Sequence, residues 1–281
     1  LRAIHTYCEN KKAKLVVLPM RGVSLKDCGY EESIRPYLST EYIFNQNLQA
    51  QDFIINPQMI DPLRGLNRFG QKEYSLIIAS PKQFMRTVPV SHESYPHILQ
   101  STGSCSIPTY ASTRQGCLAK QDHCLGGLIV EIEDDATFYI RQVQADEAGG
   151  FYDLGEYFTH ESVVQKRASA FVMGDLHSGF EDDSAKSAWV ECKELTNPKY
   201  IILHDLFDGH SISHHHEHKM EQQVNRSPKL DTLEKELQQM VNSLTFWSEK
   251  FPESEIVIVP SNHNEFLDRY LTEVRYANDR L

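Results

Sequence analysis

The stretch SAFVMGDLH (residues 169–177) joins a short apolar run to side chains that bind metal ions. Two later stretches repeat this arrangement, YIILHDLFD (residues 200–208) and IVIVPSNHNE (residues 256–265). Apolar runs of this length without polar alternation predict strands that are buried on both faces of a parallel sheet. Ligands collect at the carboxyl ends of the strands in such sheets. We therefore expect one sheet edge to hold six side chains together: Asp175, His177, Asp205, Asp208, Asn262 and His263.

These residue types suit a centre for two divalent metal ions. Carboxylate and imidazole groups are the usual ligands of hard and borderline divalent ions. Two such ions, about 3.5–4 Å apart, clamp the attacking and leaving oxygens of a phosphoryl transfer. A single D-x-H is common, and an Asp after a strand often caps a helix. Three such blocks in order favour a site over these structural explanations.

The three blocks resemble the signature of the calcineurin-like metallophosphoesterases, which is D-x-H, then G-D-x-x-D, then G-N-H-[D/E]. The resemblance covers about residues 168–275, with His204 and Ser261 where the family has Gly, and Asn264 where it has an acid. It implies an α/β fold of the metallophosphoesterase type, a β-sandwich flanked by helices. It also implies the metal ligands: Asp205 bridges the ions, Asp175 and His177 bind the first, and Asn262 binds the second.

The same resemblance implies roles for two further residues. His263 is a catalytic residue that faces the phosphate and helps the leaving oxygen to depart. Asp208 either supports a ligand or caps the turn before Gly209. The expected ions are Mn²⁺ or Mg²⁺, and no Ser, Cys or Asp nucleophile is required because the attacking oxygen comes from water.

Members of the family carry two further metal-binding histidines downstream, but no histidine follows His263. The chain also begins at Leu1 without an initiator Met. We therefore expect a chain that is cut at both ends, lacks the C-terminal part of the fold and binds Mn²⁺ poorly. Alternatively, the His-rich residues 210–218 supply replacement ligands. A loop that contacts phosphate or a partner is favoured, with His210 and His214 as substrate or supporting contacts.

The chain divides into two expected regions. Residues 1–165 form an N-terminal α/β region of unknown role, and residues 166–281 form the metallophosphoesterase domain, incomplete at its C-terminus. In the first region we expect a helix at Leu1–Ala13, strands at Leu15–Leu18 and Phe53–Ile55, and an extended loop over residues 100–122. We also expect a hairpin around Asp134 and Asp135. A Cys105 nucleophile with His97 or His123 as its base is outweighed by a structural cysteine.

Composition fits a water-soluble, cytoplasmic enzyme. The 281 residues are 40% hydrophobic, and no apolar run approaches the roughly 18 residues that span a bilayer. The six cysteines are scattered without a C-x-x-C pair, as in reduced cytosolic proteins. The net charge of −11 argues against a simple basic nucleic-acid footprint, although metal-binding carboxylates account for part of it.

The layout also resembles phage-encoded metallophosphoesterases, in particular the nucleases with which T5-like phages degrade host DNA early in infection. That resemblance implies a DNA nuclease in the host bacterial cytoplasm, with DNA as partner, no membrane partner and a homo-oligomeric state. Two alternatives stay open. One is a small-molecule phosphoesterase such as a nucleotidase, and the other is an inactive interaction module of the same fold. Ligand residues cannot separate them because substrate choice depends on the surrounding loops.

Overall fold

The computed structural model describes residues 1–20, 29–70, 74–91, 97–213 and 232–278. It has a mixed α/β architecture, which confirms the predicted class. It divides into two compact units: unit 1 comprises Leu1–Asp153 and Tyr157–Val164, and unit 2 comprises Leu154–Glu156 and Gln165–Leu281. Within the described ranges, no helix is both long enough and apolar enough to cross a membrane.

The α-helices and β-strands are numbered here in chain order. The helices are α1 Arg2–Lys11, α2 Asn67–Gly70, α3 Arg114–Gln121, α4 Asp183–Thr196, α5 Leu233–Lys250 and α6 Asn264–Thr272. The first seven strands are β1 Glu41–Asn45, β2 Leu48–Gln51, β3 Ser75–Ile78, β4 Met85–Val88, β5 His97–Ser101, β6 Gly126–Ile132 and β7 Phe138–Gln144. The others are β8 Phe151–Asp153, β9 Glu156–Phe158, β10 Val163–Gln165, β11 Ala170–Asp175, β12 Tyr200–His204 and β13 Glu255–Ile258.

Unit 1 contains a five-stranded mixed sheet in the order β1-β2-β3-β5-β4. All four residues of its central strand β3 are buried. Since successive side chains of a strand point to opposite faces, both faces of β3 are covered. Leu76 and Ile78 pack into one hydrophobic cluster, and Ile77 packs into another. The second cluster includes residues of the β6–β7 hairpin, which forms around the Asp134–Asp135 turn where the sequence predicts it.

Three local predictions for unit 1 are wrong. The predicted strand at Leu15–Leu18 is reduced to an isolated bridge between Val17 and Leu38. The predicted loop over residues 100–122 contains helix α3, which begins because the Thr113 hydroxyl accepts a hydrogen bond from Gly116 N at 3.1 Å. The predicted strand at Phe53–Ile55 is not formed; Phe53 and Ile55 instead pack against the Leu76 cluster. Aliphatic and aromatic side chains can be buried in a core from irregular backbone as well as from a regular strand.

Unit 2 contains a three-stranded parallel sheet in the order β11-β12-β13. Tyr200 pairs with both Ala170 and Glu255, so the three strands start in register and end at the same edge. Helix α4 connects the first pair and α5 connects the second. Asp182 and Thr232 cap these helices by accepting hydrogen bonds from Ala185 N and Lys235 N.

Both connecting helices pack on one face of this sheet. Met173, Leu203 and Trp247 form part of their common core, with Trp189 and Met240 at its edge. Parallel connections are right-handed, so a strand order that advances in one direction places both helices on one side. The expected burial on both faces is wrong for the described residues, since Val172 on the opposite face is 68% exposed.

A lysine lies inside this core. Lys193 of α4 is fully buried, with its Nζ 3.4 Å from the ring centroid of Trp247 and 2.9 Å from Met173 Sδ. Burial lowers the pKa of its ammonium group to about 7. The rings of Trp247, Phe171 and Phe251 supply cation–π contacts in place of a carboxylate.

Candidate metal centre

The first two sequence blocks lie against each other at the carboxyl edge of the unit 2 sheet. Leu176 N donates a hydrogen bond to His204 O at 3.1 Å, and His177 N donates to Asp205 O at 2.8 Å. These bonds extend the parallel pairing beyond β11 and β12, after a register shift between Val172 and Asp175. The loops that carry the candidate ligands are therefore fixed to each other by backbone hydrogen bonds.

Two of the candidate ligands have an uncommon backbone conformation. His177 and Asp205 each have φ of 44°, in the left-handed region that side chains with a Cβ seldom adopt. Such residues persist only where the surrounding structure enforces them, and they cluster at functional sites. Here the backbone ladder between the loops enforces them and directs both side chains toward the edge.

The candidate ligand atoms form two groups that share His177. Asp175, His177 and Asp205 offer atoms within 4.8 Å of one another, and so do His177, Asp208 and His263. The first group contains the three residues that the sequence assigns to the first ion. The second group brings in Asp208 and His263, which the sequence assigns to supporting and catalytic roles.

The donor set fits a divalent ion on the evidence of two buried atoms. His177 Nδ1 lies 2.8 Å from Asp208 Oδ1, yet among the described residues this nitrogen has no partner with hydrogen-bond geometry. Asp205 Oδ1 is also buried, and the described ranges offer it no hydrogen-bond partner. With metal–ligand bonds of about 2.0–2.2 Å, two atoms bound to one ion at a right angle lie roughly 3 Å apart without a hydrogen bond. Imidazole with carboxylate suits Mn²⁺ and related ions.

His204 is the site residue that the sequence interpretation missed, since it was noted only as a replacement for Gly. Its Nδ1 lies 2.8 Å from Asp175 Oδ1 and 3.3 Å from Asp205 Oδ2. The hydrogen bond from His204 lowers the pKa of Asp175, and the same bond raises the pKa of His204. Its place directly before Asp205 at a strand end was the signal that could have identified it.

The third block brings His263 to the same edge. Its Nδ1 lies 2.6 Å from the backbone oxygen of Asp208, and its ring centroid lies 4.8 Å from that of His177. A carbonyl oxygen can only accept, so Nδ1 carries the proton and Nε2 is left for chemistry. Asn264 Oδ1 accepts hydrogen bonds from Ser261 N and Oγ, which closes the turn where the family pattern has an acid.

The structure places the other predicted residues less closely. Asn262 is exposed beside His263 at the end of β13. His210 lines a cleft next to Asp208 and has its ring 6.0 Å from that of Phe180. His214 lies outside the described residues. Gly209 has φ of 70°, and a Cβ there would lie 2.8 Å from Phe266, so the chain requires glycine after Asp208.

The cysteine nucleophile considered for unit 1 has an unsuitable environment. Desolvation by the surrounding protein raises the pKa of Cys105 although its surface is exposed, and this favours the unreactive thiol. His123 lies 2.9 Å from both the Tyr110 hydroxyl and the Ser106 carbonyl, so both of its ring nitrogens have other partners. The described residues of unit 1 therefore do not support a cysteine nucleophile at Cys105.

No protein-family model matches this sequence, and no solved structure matches it. The chain is similar to Protein A1 of Escherichia phage T5, at 28% identity over 273 residues. The alignment covers 89% of this chain and 47% of that protein, so the chain spans about half the length of the curated relative it matches. This similarity agrees with the expected link to T5-like phages and leaves the metallophosphoesterase family as a proposal.

Proposed function

We propose that unit 2 is a divalent-metal-dependent phosphodiesterase of the metallophosphoesterase type and that its substrate is DNA. One observation supports this proposal most strongly: five potential ligands lie together at the carboxyl ends of three parallel strands. They come from the D-x-H, D-x-x-D and N-H blocks, in that order along the chain. Two of their atoms, His177 Nδ1 and Asp205 Oδ1, are buried and have no hydrogen-bond partner in the part of the chain that the structure describes. A bound cation would give both atoms a partner.

Asp175, His177 and Asp205 would hold the first ion, with Asp205 bridging to a second ion that Asn262 helps to bind. When bound, two divalent ions acidify a water and neutralise charge on the phosphate. Asp208 orients its neighbours, because its carboxylate lies beside His177 and its carbonyl fixes the His263 tautomer. With both ring nitrogens protonated, His263 would donate the Nε2 proton to the departing oxygen and return to the neutral form that keeps its proton on Nδ1.

DNA as the substrate is supported by the exposed position of the candidate ligand Asp175, which leaves the site open to a polymer. The relative comes from a phage of Escherichia, which supports a bacterial cytoplasm as the place of action. The proposal also includes a homo-oligomeric state. The acidic ligand set does not oppose DNA binding once cations neutralise it.

A nucleotidase is the second candidate, and one observation favours it. A cleft of about 460 Å³ adjoins Asp175, His177 and Asp208. This volume falls within the range of small-molecule sites, about 300–1,000 Å³. A nucleoside monophosphate could therefore place its phosphate at the metal centre and the rest of the molecule in the cleft.

Three substrates assayed with Mn²⁺ separate the candidates: plasmid DNA, a dinucleotide ester and a nucleoside monophosphate. We expect cleavage of the DNA and the ester, loss of both activities in Asp205→Ala, and full activity in the control Asp135→Ala, which changes an exposed hairpin residue. Hydrolysis of the monophosphate alone refutes the nuclease assignment. Silence on all three without bound metal supports the inactive module.

A further inference from the structure

The cleft beside the metal centre has an aromatic wall. Besides the candidate ligands, it is lined by Phe180, Trp189 and His210. Phe180 is 50% exposed although it is apolar, and Trp189 is half-buried against the core. We call this space the aromatic cleft. An exposed aromatic ring next to a candidate catalytic centre is a common means of binding a planar ligand.

The loop that carries Phe180 is held in one position. Phe180 N donates to His177 O at 2.8 Å, which ties the aromatic residue to a candidate metal ligand. Glu181 accepts hydrogen bonds from Gly179 N at 2.7 Å and from the Ser243 hydroxyl at 2.6 Å. The second bond fixes the loop to α5. The aromatic wall is therefore preorganised with respect to the metal centre.

The charges in the cleft select against a second phosphate. Glu181 and Asp182 line it, and both are already used as hydrogen-bond acceptors within the protein. Anionic groups would be repelled there, whereas a neutral planar ring would stack on Phe180 or Trp189. A nucleobase is such a ring, and it is joined through its sugar to the phosphate that the metal centre would bind.

We propose that the aromatic cleft binds one unstacked base next to the phosphodiester bond that is cleaved, so that the protein acts on single-stranded DNA or frayed duplex ends. A base inside a duplex is paired and stacked, so extracting it costs free energy, and the cost is least where the base is already unpaired. This inference rests on the proposed nuclease function, which it refines by naming the form of the DNA.

Kinetics on one DNA sequence in single-stranded and blunt duplex form test the inference. We expect wild type to have a higher kcat/KM on the single strand. Because the base would lose its aromatic stacking partner, Phe180→Leu should raise KM for the single strand about 10-fold with kcat within about twofold. Phe180→Tyr should restore KM. Phe246→Leu is the matched control, since Phe246 is 36% exposed on α5 outside the cleft.

Equal kcat/KM on both DNA forms, or an unchanged KM in Phe180→Leu, overturns the inference. A binding measurement keeps it distinct from the nuclease proposal. The probe is a single-stranded phosphorothioate oligonucleotide that contains the fluorescent base 2-aminopurine. We expect its fluorescence to be quenched by wild type and Phe246→Leu but not by Phe180→Leu. If no DNA is cleaved, the proposed function fails, and this quenching alone decides whether the cleft binds a base.

Discussion

The buried carboxylates of Asp153 in unit 1 and Asp205 in unit 2 have opposite surroundings. In unit 1, Arg141 donates to both oxygens of Asp153 at 2.8 and 3.1 Å, and the Tyr7 hydroxyl donates to the same carboxylate at 3.2 Å. In unit 2, Asp205 is equally buried, yet its Oδ1 has no hydrogen-bond partner among the described residues. A buried carboxylate needs a compensating charge and donors. Unit 1 supplies them from the protein, whereas the carboxylate of unit 2 is suited to a cation from solution.

The largest expected effect is on turnover and comes from His263, because this residue would transfer a proton at the unit 2 centre. His263→Ala should lower turnover by about 10²–10⁴-fold, the usual scale for a positioned acid–base group. The number of bound Mn²⁺ ions, measured by metal analysis beside the rate, should not change. His160→Ala, at an exposed histidine of unit 1, is the control. Loss of an ion from the His263 variant would show that it is a ligand.

A pair of isosteric substitutions tests the contrast between the units directly. Asp153→Asn should lower the free energy of unfolding by about 2–4 kcal/mol, because it leaves Arg141 without its buried counter-charge. Asp205→Asn should lower the free energy of unfolding much less in EDTA, since no cationic side chain of the described residues is paired with Asp205 Oδ1. Urea denaturation followed by circular dichroism measures both. Equal losses would mean that Asp205 is a structural residue like Asp153.

Lys193 is a buried charge in unit 2 with an aromatic rather than an ionic environment. Its folded pKa of about 7 is below the unfolded value of about 10.4, so the unfolded chain binds more protons between these pH values. Its contribution to stability therefore rises as the pH increases from about 7 to about 10, and is constant below that window. Lys193→Met should remove this rise and stabilise unit 2 at pH 7 by about 1–3 kcal/mol.

Fluorescence of Trp247, which Lys193 contacts, reports the unfolding of unit 2 at each pH. The matched control is Lys186→Met on the same helix, whose ammonium lies over the exposed ring of Phe246. A stability difference between wild type and Lys193→Met that does not depend on pH would contradict the lowered pKa.

The smallest expected effect is at His204, which supports the metal centre by holding Asp175. His204→Gln should weaken Mn²⁺ binding about 10-fold, the lower end of the range for residues that orient metal ligands. Calorimetric titration with Mn²⁺ measures this, with His160→Gln as control. Affinity equal to wild type would show that the hydrogen bond at 2.8 Å to Asp175 does not position this ligand.

The sequence predicts the unit 2 sheet well because periodicity and capping are local signals. The apolar runs before Asp175, His204 and Pro260 form the three strands, and the stripe of residues 233–247 forms helix α5. The exposed face of the sheet could not be predicted, because burial depends on what the rest of the chain places there. Helix α3 was missed because the Ser, Thr, Gly and Pro residues of the stretch 100–122 favour loops, whereas the Thr113 cap acts only once a helix begins.

The sequence predicts which loops form the candidate site, but not every contact between their side chains. Strand ends in a parallel sheet bring Asp175, His177 and Asp205 together whatever the rest of the fold does. The insertion of His204 between two carboxylates depends on a register shift after Val172, which no sequence pattern indicates. The aromatic cleft likewise depends on how residues 177–182 turn back toward α5.

The central claim is that unit 2 holds a divalent ion through His177 and Asp205, and equilibrium binding of Mn²⁺ tests it most directly. Calorimetry and thermal unfolding with and without Mn²⁺ should show binding by wild type, with stabilisation of about 2.7 kcal/mol at a hundredfold excess over the Kd. Asp205→Asn and His177→Ala should each lose that stabilisation while they keep the wild-type fold in EDTA. Identical Mn²⁺ binding by wild type and both variants would contradict the account.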